Sequence, residues 1–382
     1  MHFVSIEWFF WMAATFGFFW LFPAAWRHYF LVTITLAFLV VHAPESALVL
    51  TLFTGLAYGF TRRTEISGRR AGAICGVVVA VLLAYKLMVA APREDIVRDL
   101  VVPLGLSYYA LRVIHYVLER YKGAVAAASP AELISYLFFL PTIVIGPIHR
   151  YPAFLRDLRR HRWDPRLISE GLERILYGYV KITIFANYLV SGEFARFVGS
   201  IDPEQQALIL YLEIVRGGLN LYLQFSGFSD VAIGFARLLG FRVMENFDWP
   251  YFKTNISDFW RSWHMSLTSW CREYIYTTVF SISRSPALGA IATLVTIGIW
   301  HEVSLRYLVW GIYHGLGIVA WQQFRRLDPY LPAVNGRAAT VVVDALKILL
   351  TVHFVWFGFV IVRQPTLEAT WKVFTTVLFF WM

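Results

Sequence analysis

Residues Ala131 to Ile148 read AELISYLFFLPTIVIGPI, and residues 149–166, which follow, read HRYPAFLRDLRRHRWDPR. The first stretch is apolar enough to enter a bilayer, yet it ends in the densest basic run of the chain: Arg150, Arg156, Arg159, Arg160, Arg162 and Arg166. It is also preceded by Arg120 and Lys122. Lysine and arginine collect in cytoplasmic loops, and one spanning helix cannot have both ends in the cytoplasm. Pro141, Gly146 and Pro147 interrupt the run, and broken backbone at membrane depth is tolerated only where protein or a water-filled cavity covers it. The spacing predicts that 131–148 is re-entrant or half-spanning.

The other apolar runs fit full crossings. Phe3 to Ala25 has no basic leader and no small-residue cleavage site, so it reads as a retained helix closed by Arg27 and His28. Tyr29 to Ala43 and Ala47 to Phe60 follow, then Arg62, Arg63, Arg69 and Arg70. With the basic clusters inside, the N-terminus is outside and 61–70 is cytoplasmic. Ala71 to Ala91 crosses to a loop where Arg93 and Arg98 are offset by Glu94, Asp95 and Asp99, and Leu100 to Leu118 returns. Leu167 to Val190, 206–241, the hairpin of Ala287 to His301 and Leu305 to Gln323, then 338–362 and 366–381 supply further helices; 243–285 is too polar to span.

Composition agrees. Of 382 residues, 58% are hydrophobic, 18% aromatic and 15% charged, where an ordinary soluble domain carries about 25% charged residues. At roughly 20 residues per spanning helix the chain holds about ten crossings. A second, soluble domain does not fit, so 1–382 reads as a single membrane domain. The net charge of +9 sorts into inside loops rather than marking a nucleic-acid surface. Cys75 and Cys271, the only cysteines, make neither a disulfide framework nor a thiolate metal site. No P-loop, dinucleotide fingerprint or H-E-x-x-H spacing is present, so no metal or bound cofactor is expected.

The polar residues that remain inside apolar segments carry the functional question, because an ionisable group in a membrane is either functional or paired within the bundle. Across 287–320 the only charged or imidazole side chains are His301, Glu302, Arg306 and His314. Glu302 and Arg306 stand at i, i+4, the order that favours a helical ion pair. His301 has no such partner in its own segment; it reads equally as a general base for a hydroxyl or as a buried histidine bonded to a backbone carbonyl. His314 lies among small residues at helix-packing spacing.

A second group runs from Asn255 to Leu267. Asn255 is a good N-cap, Phe259 and Trp263 form an apolar stripe, and the segment reads as a helix near the membrane interface with Trp260 and Trp263 as anchors. His264 stands at its far end, a candidate for a cavity mouth. Cys271, seven residues on, would share its helical face, which makes an acyl-cysteine route physically possible. A third group, Gln224, Ser226 and Asp230, could orient a histidine, bind substrate, or simply pair across helices.

Asn255 to Leu267, with Trp270, Arg272, Tyr274 and Tyr276 after it, resembles the signature of the membrane-bound O-acyltransferases, in the bacterial branch of alginate O-acetylation and teichoic acid D-alanylation. Val102 to Tyr109, Pro141 to Tyr151, Gly171 through Lys181, Ser226 to Gly234, and Ile299 through Gly315 fit the same branch in order. The resemblance implies an all-α polytopic membrane bundle of about eleven helices, with re-entrant or half-spanning segments around a central funnel. It implies His301 as the essential histidine and His264 as the second catalytic position. Gln224, Ser226, Asp230, Asn255, Trp260, Arg272 and His314 form the candidate supporting set. The implied chemistry is acyl transfer, acetyl foremost, from a cytoplasmic thioester on acyl-CoA or an acyl carrier protein to a hydroxyl of a cell-envelope polysaccharide or a carrier. A bacterial inner-membrane location and an extracytoplasmic partner that handles the acceptor polymer follow from it.

Three positions differ from the family pattern: Glu302 stands where glycine is usual, Gln224 where aspartate is usual, and the 37 positions from His264 to His301 make a shorter loop than most relatives have. D-alanyl transfer to a teichoic acid-type polymer, a transporter using the same polar residues as a path, and a non-catalytic scaffold of an export complex are the competing readings. The lack of an internal repeat counts against a transporter of two related halves.

Overall fold

The computed structural model describes residues 5–62, 65–90, 105–160, 162–330 and 336–379. Arg63, the charge-balanced loop 91–100 and Val102 to Leu104 lie outside them. Among the described residues the chain is helical, with one isolated antiparallel bridge between Phe247 and Trp263. Its contacts group it into two compact units: Met1–Tyr179 with Gly227–Glu245, and Val180–Ser226 with Asn246–Met382.

In the first unit, Ile6–Phe19 starts at Ser5, whose hydroxyl accepts from the amide of Trp8. It ends earlier than the apolar pattern suggests. Pro23 lacks the amide that would continue the helix and takes the N-cap position of the next one, Ala24–His42. Arg27 and His28 therefore sit inside that second helix rather than in a loop between two. Pro44–Thr61, Gly68–Ala90 and Leu106–Tyr121 follow.

The 131–148 run is broken as its prolines require. Pro130–Leu137 carries a capping box between Ser129 and Glu132, and after Phe138–Phe139 a second short helix spans Leu140–Ile143. At 1.5 Å per residue these cover about 12 and about 6 Å, far below the roughly 30 Å of a hydrocarbon core. Protein covers the opened backbone. The fully buried Arg112 donates Nη2 to the carbonyl of Thr142 and, at 2.9 Å, to its Oγ1. His149 closes the other side, with Nδ1 3.2 Å from Thr142 Oγ1 and Nε2 3.2 Å from the carbonyl of Tyr136.

The arginine run then forms an amphipathic helix, Tyr151–Arg160, which buries Tyr151, Phe154, Asp157 and Leu158 and leaves its arginines outside. Pro165–Val180 packs on the Gly227–Leu238 end of the long helix Gln206–Leu238. A β-carbon on Gly178 would stand 2.7 Å from the carbonyl of Gly227, so the two backbones meet at glycine.

In the second unit a π-helical stretch, Lys181–Phe194, is followed by the first part of Gln206–Leu238. Pro286–His301 and Leu305–Phe324 form the expected hairpin, which is held close by glycine: a β-carbon on Gly298 would fall 2.3 Å from the carbonyl of Tyr307. Arg337–Arg363 and the 12-residue Leu367–Leu378 complete it. Ala24–His42, Gly68–Met88 and Arg337–Arg363 are each long and apolar enough to cross a membrane. Their outward faces keep large apolar side chains exposed, Val41 and Leu350 among them, as a lipid solvent allows.

Candidate functional site

The segment expected as one interface helix over 255–267 is two short helices with a kink between them. Asn255 caps the first, Ile256–Ser262, its Oδ1 accepting from the amide of Asp258 at 2.9 Å. The second, Met265–Cys271, begins at His264, whose backbone is left-handed at φ 45° and ψ 50°. For a residue with a β-carbon that conformation costs roughly 1–2 kcal/mol, so the surroundings must hold it.

Asn246 does. Its carbonyl accepts from Met265 N at 2.9 Å, and its buried Oδ1 accepts from Ser266 N at 3.2 Å and Ser266 Oγ at 2.7 Å. Asp248 N donates to Ser262 O at 3.0 Å on the other side of the kink. Sequence reasoning passed over Asn246; the available signal was a lone amide immediately before Phe247, the residue that bridges to Trp263.

The kink corrects three expectations. His264 is not at the far end of an interface helix but at the break between two. Cys271 does not share a continuous helical face with it. Trp260 and Trp263 are not interface anchors, since both are buried against protein rings; Trp263 stacks on Phe259 and Tyr251 at 5.5 and 5.9 Å.

His264 points its ring at Phe225, 4.7 Å away edge to face, and at His301, 6.4 Å away. His301 ends the helix Pro286–His301, stacks on Tyr307 at 5.9 Å and stays accessible. Both histidines line a cavity of about 150 Å³, walled by Phe225, Trp260, Trp263, Tyr307, Trp310 and aliphatic side chains. Among the described residues, no aspartate or glutamate is in that wall. His264 belongs to a segment of seven-residue helices too short to span, and burial, with His301 beside it, holds its imidazole well below the usual histidine range. It is neutral near pH 7. A neutral imidazole offers one donor and one acceptor, the combination needed to hold or accept a hydroxyl proton.

The rest of the candidate set lies elsewhere. Trp260 lines the cavity, and His314 packs against it at 5.2 Å, fully buried, with neither ring nitrogen hydrogen-bonded. Asn255 serves as the cap and Arg272 is exposed at the start of the π-helical stretch Arg272–Tyr276. Gln224 donates to Asn187 at 2.6 Å and Ser226 is buried. Asp230, in the first unit, pairs with Arg174 at 2.8 Å, which answers to pairing across helices. Glu302 and Arg306 form the expected ion pair at 3.0 Å. Among the described residues no cluster of three or more His, Cys, Asp or Glu could hold a metal.

Membrane-length apolar helices and a cavity shared by a buried and an accessible histidine in an aromatic wall define an integral membrane protein with room for one small reacting group. The chain belongs to the membrane-bound O-acyltransferase family, whose model matches residues 86–359 and so includes both histidines. It is 29% identical over 293 residues to the probable alginate O-acetylase of Pseudomonas aeruginosa, covering 75% of this chain and 53% of that protein. It is 28% identical over 367 residues to the teichoic acid D-alanyltransferase of Bacillus subtilis, covering 87% and 89%. With the peptidoglycan O-acetyltransferase of Helicobacter pylori it shares 24% over 310 residues, 72% and 56% of the two chains. The chain spans about half the length of the alginate relatives it matches.

Proposed function

We propose that this protein is a membrane O-acyltransferase that moves a small neutral acyl group, acetyl, from a cytoplasmic thioester to a hydroxyl of a cell-envelope polysaccharide or of a carrier on that route. The observation that carries the reading is the cavity shared by His264 and His301, about 150 Å³ and free of carboxylates in its wall. A void of that size elsewhere takes a ligand as small as benzene, which suits a two-carbon acyl group.

His301 is the general base. Its imidazole takes the acceptor's hydroxyl proton as the oxygen attacks the thioester carbonyl carbon; the carbon–sulfur bond breaks, and the proton passes to the departing thiolate. Such proton transfer supplies about 10²–10⁴-fold. His264, neutral and 6.4 Å away between ring centroids, is close enough to hydrogen-bond the same substrate and hold it in line. The donor is acyl-CoA or an acyl carrier protein, and the exposed arginines of 156–166 supply a cytoplasmic surface for its phosphates. An inner-membrane bundle of about eleven helices, N-terminus outside, with an extracytoplasmic partner for the polymer, completes the reading.

D-alanyl transfer is the second reading, favoured by the near-full-length match to the Bacillus subtilis teichoic acid D-alanyltransferase. A D-alanyl group carries an ammonium that needs a counter-charge, and the nearest acid in sequence to His301, Glu302, is committed to Arg306. Acyl transfer from labelled acetyl-CoA, against D-alanyl carrier protein, in membranes holding the wild type or His301→Ala decides between them. Full activity in His301→Ala overturns the mechanism; activity with the D-alanyl donor alone overturns the acyl group.

A further inference from the structure

A second cavity, in the first unit, has a volume of about 170 Å³. Pro44–Thr61 contributes Phe53, Leu56 and Phe60, Gly68–Ala90 contributes Val77 and Arg70, and Val113 closes the floor. Among the described residues of the wall, Arg70 is the one charged side chain. Leu56, Phe60 and Val77 are each about half exposed, so the cavity is a groove open to the outside of the unit.

The groove is open and apolar, and Gly68–Met88 in its wall is a candidate spanning helix, so the solvent it meets is lipid and an alkyl chain is the natural filling. The mouth sets the other half of the ligand. Arg70 stands in the first turn of its helix, where amide dipoles add positive potential. Arg69 beside it and Arg62 at the end of the facing helix are exposed, and Glu65 is the only acid in the described part of 61–70. The basic 61–70 loop belongs on the cytoplasmic side, whose leaflet carries the anionic lipids.

We propose that this groove is a binding site for one anionic glycerophospholipid, with part of an acyl chain between Phe60 and Val77 and the headgroup phosphate on Arg70. A transmembrane segment of another protein would fill an apolar groove but gives Arg70 no partner. A zwitterionic lipid brings its own ammonium to a mouth that is already cationic.

The test uses the full-length protein reconstituted in vesicles of equal parts phosphatidylcholine and phosphatidylglycerol, then released for native mass spectrometry. Wild type is expected to keep one phosphatidylglycerol through detergent exchange. Arg70→Ala is expected to lower its retention about fivefold, as loss of one surface cation opposite a lipid phosphate does. Ala73→Trp, which fills the groove without changing charge, is expected to abolish it, and Arg69→Ala to lower it less than Arg70→Ala. Equal retention in Arg70→Ala, or equal retention of phosphatidylcholine by wild type, overturns the proposal. A change in oligomeric mass in Ala73→Trp with lipid unchanged overturns it in favour of a protein partner. Variants that do not elute monodisperse are replaced by Val77→Trp, for which the same loss is expected and unchanged retention counts against the site.

Discussion

His264 and His301 face one cavity from two unlike backbones: His301 closes an ordinary α-helix, while His264 is held in a left-handed conformation at the kink between two short ones. Their ring centroids are 6.4 Å apart at 45°. The two histidines are thus positioned by independent devices and can be tested independently. For His301, replacement by alanine removes the proposed base and leaves the fold, because its ring lines the cavity from a helix end. The expected loss in kcat is about 10²–10⁴-fold with the unfolding temperature unchanged, read from acetyl transfer and thermal unfolding of the same preparation.

At His264 the strain and the imidazole separate. Glycine adopts the left-handed region freely, whereas alanine keeps the cost of roughly 1–2 kcal/mol. His264→Gly should therefore be more stable than His264→Ala by about that amount, while both lose the same acyl-transfer activity. Equal stability of the two would mean that the kink relaxes when the ring is gone.

A pH dependence follows from the same residue. Its imidazole is held well below the ordinary histidine value of 6.5 by burial and by His301, so between that depressed value and about 6.5 the unfolded chain binds a proton that the folded one does not. Stability then rises with pH across that window and is lost as pH falls below about 6.5. His264→Asn should flatten the slope by up to one proton, measured as unfolding temperature against pH in the same detergent.

What the chain reveals on inspection depends on the range of the force involved. The spanning runs and the break at Pro141 are local patterns of hydropathy and charge, and they are visible without coordinates. So is the Glu302–Arg306 pair, four residues apart. The kink at His264 is not, because it is stabilised by Asn246, twenty residues before Ser266, and no periodicity reports such a bond. Trp260 and Trp263 mislead for a related reason: aromatic rings at helical spacing look alike whether they face headgroups or protein. Pro23 sets the helix boundary ahead of Arg27, which hydropathy misses because apolar residues continue on both sides of the proline. Asp230 found its partner in Arg174, 56 positions away, beyond what spacing could decide.

Asn246 gives the sharpest test of how the kink serves the site. Asn246→Ala leaves the amide and hydroxyl of Ser266 without their acceptor in a fully buried position. An unsatisfied buried donor costs about 1–3 kcal/mol. Asn246→Asp keeps the acceptor oxygen and should recover most of that stability if the charge is tolerated. Because Asn246 acts through the backbone of 264–266, kcat should fall while KM for the donor stays near the wild-type value, and the Asp variant should restore kcat in step with stability.

Cys271 and Gly298 make the last pair. Cys271 is buried at the end of Met265–Cys271 and does not line the cavity, so Cys271→Ser should keep full activity; loss of turnover with an acyl-enzyme trapped in the wild type would replace general-base attack by a covalent route. Gly298 is one turn before His301, and its missing β-carbon lets the helix approach Tyr307. Gly298→Ala forces that hairpin apart and should cost about 1–3 kcal/mol, as overpacking does. Since Tyr307 stacks on His301, the displacement reaches the proposed base itself. Activity should therefore fall further in Gly298→Ala than in Gly55→Ala, where a β-carbon meets nothing.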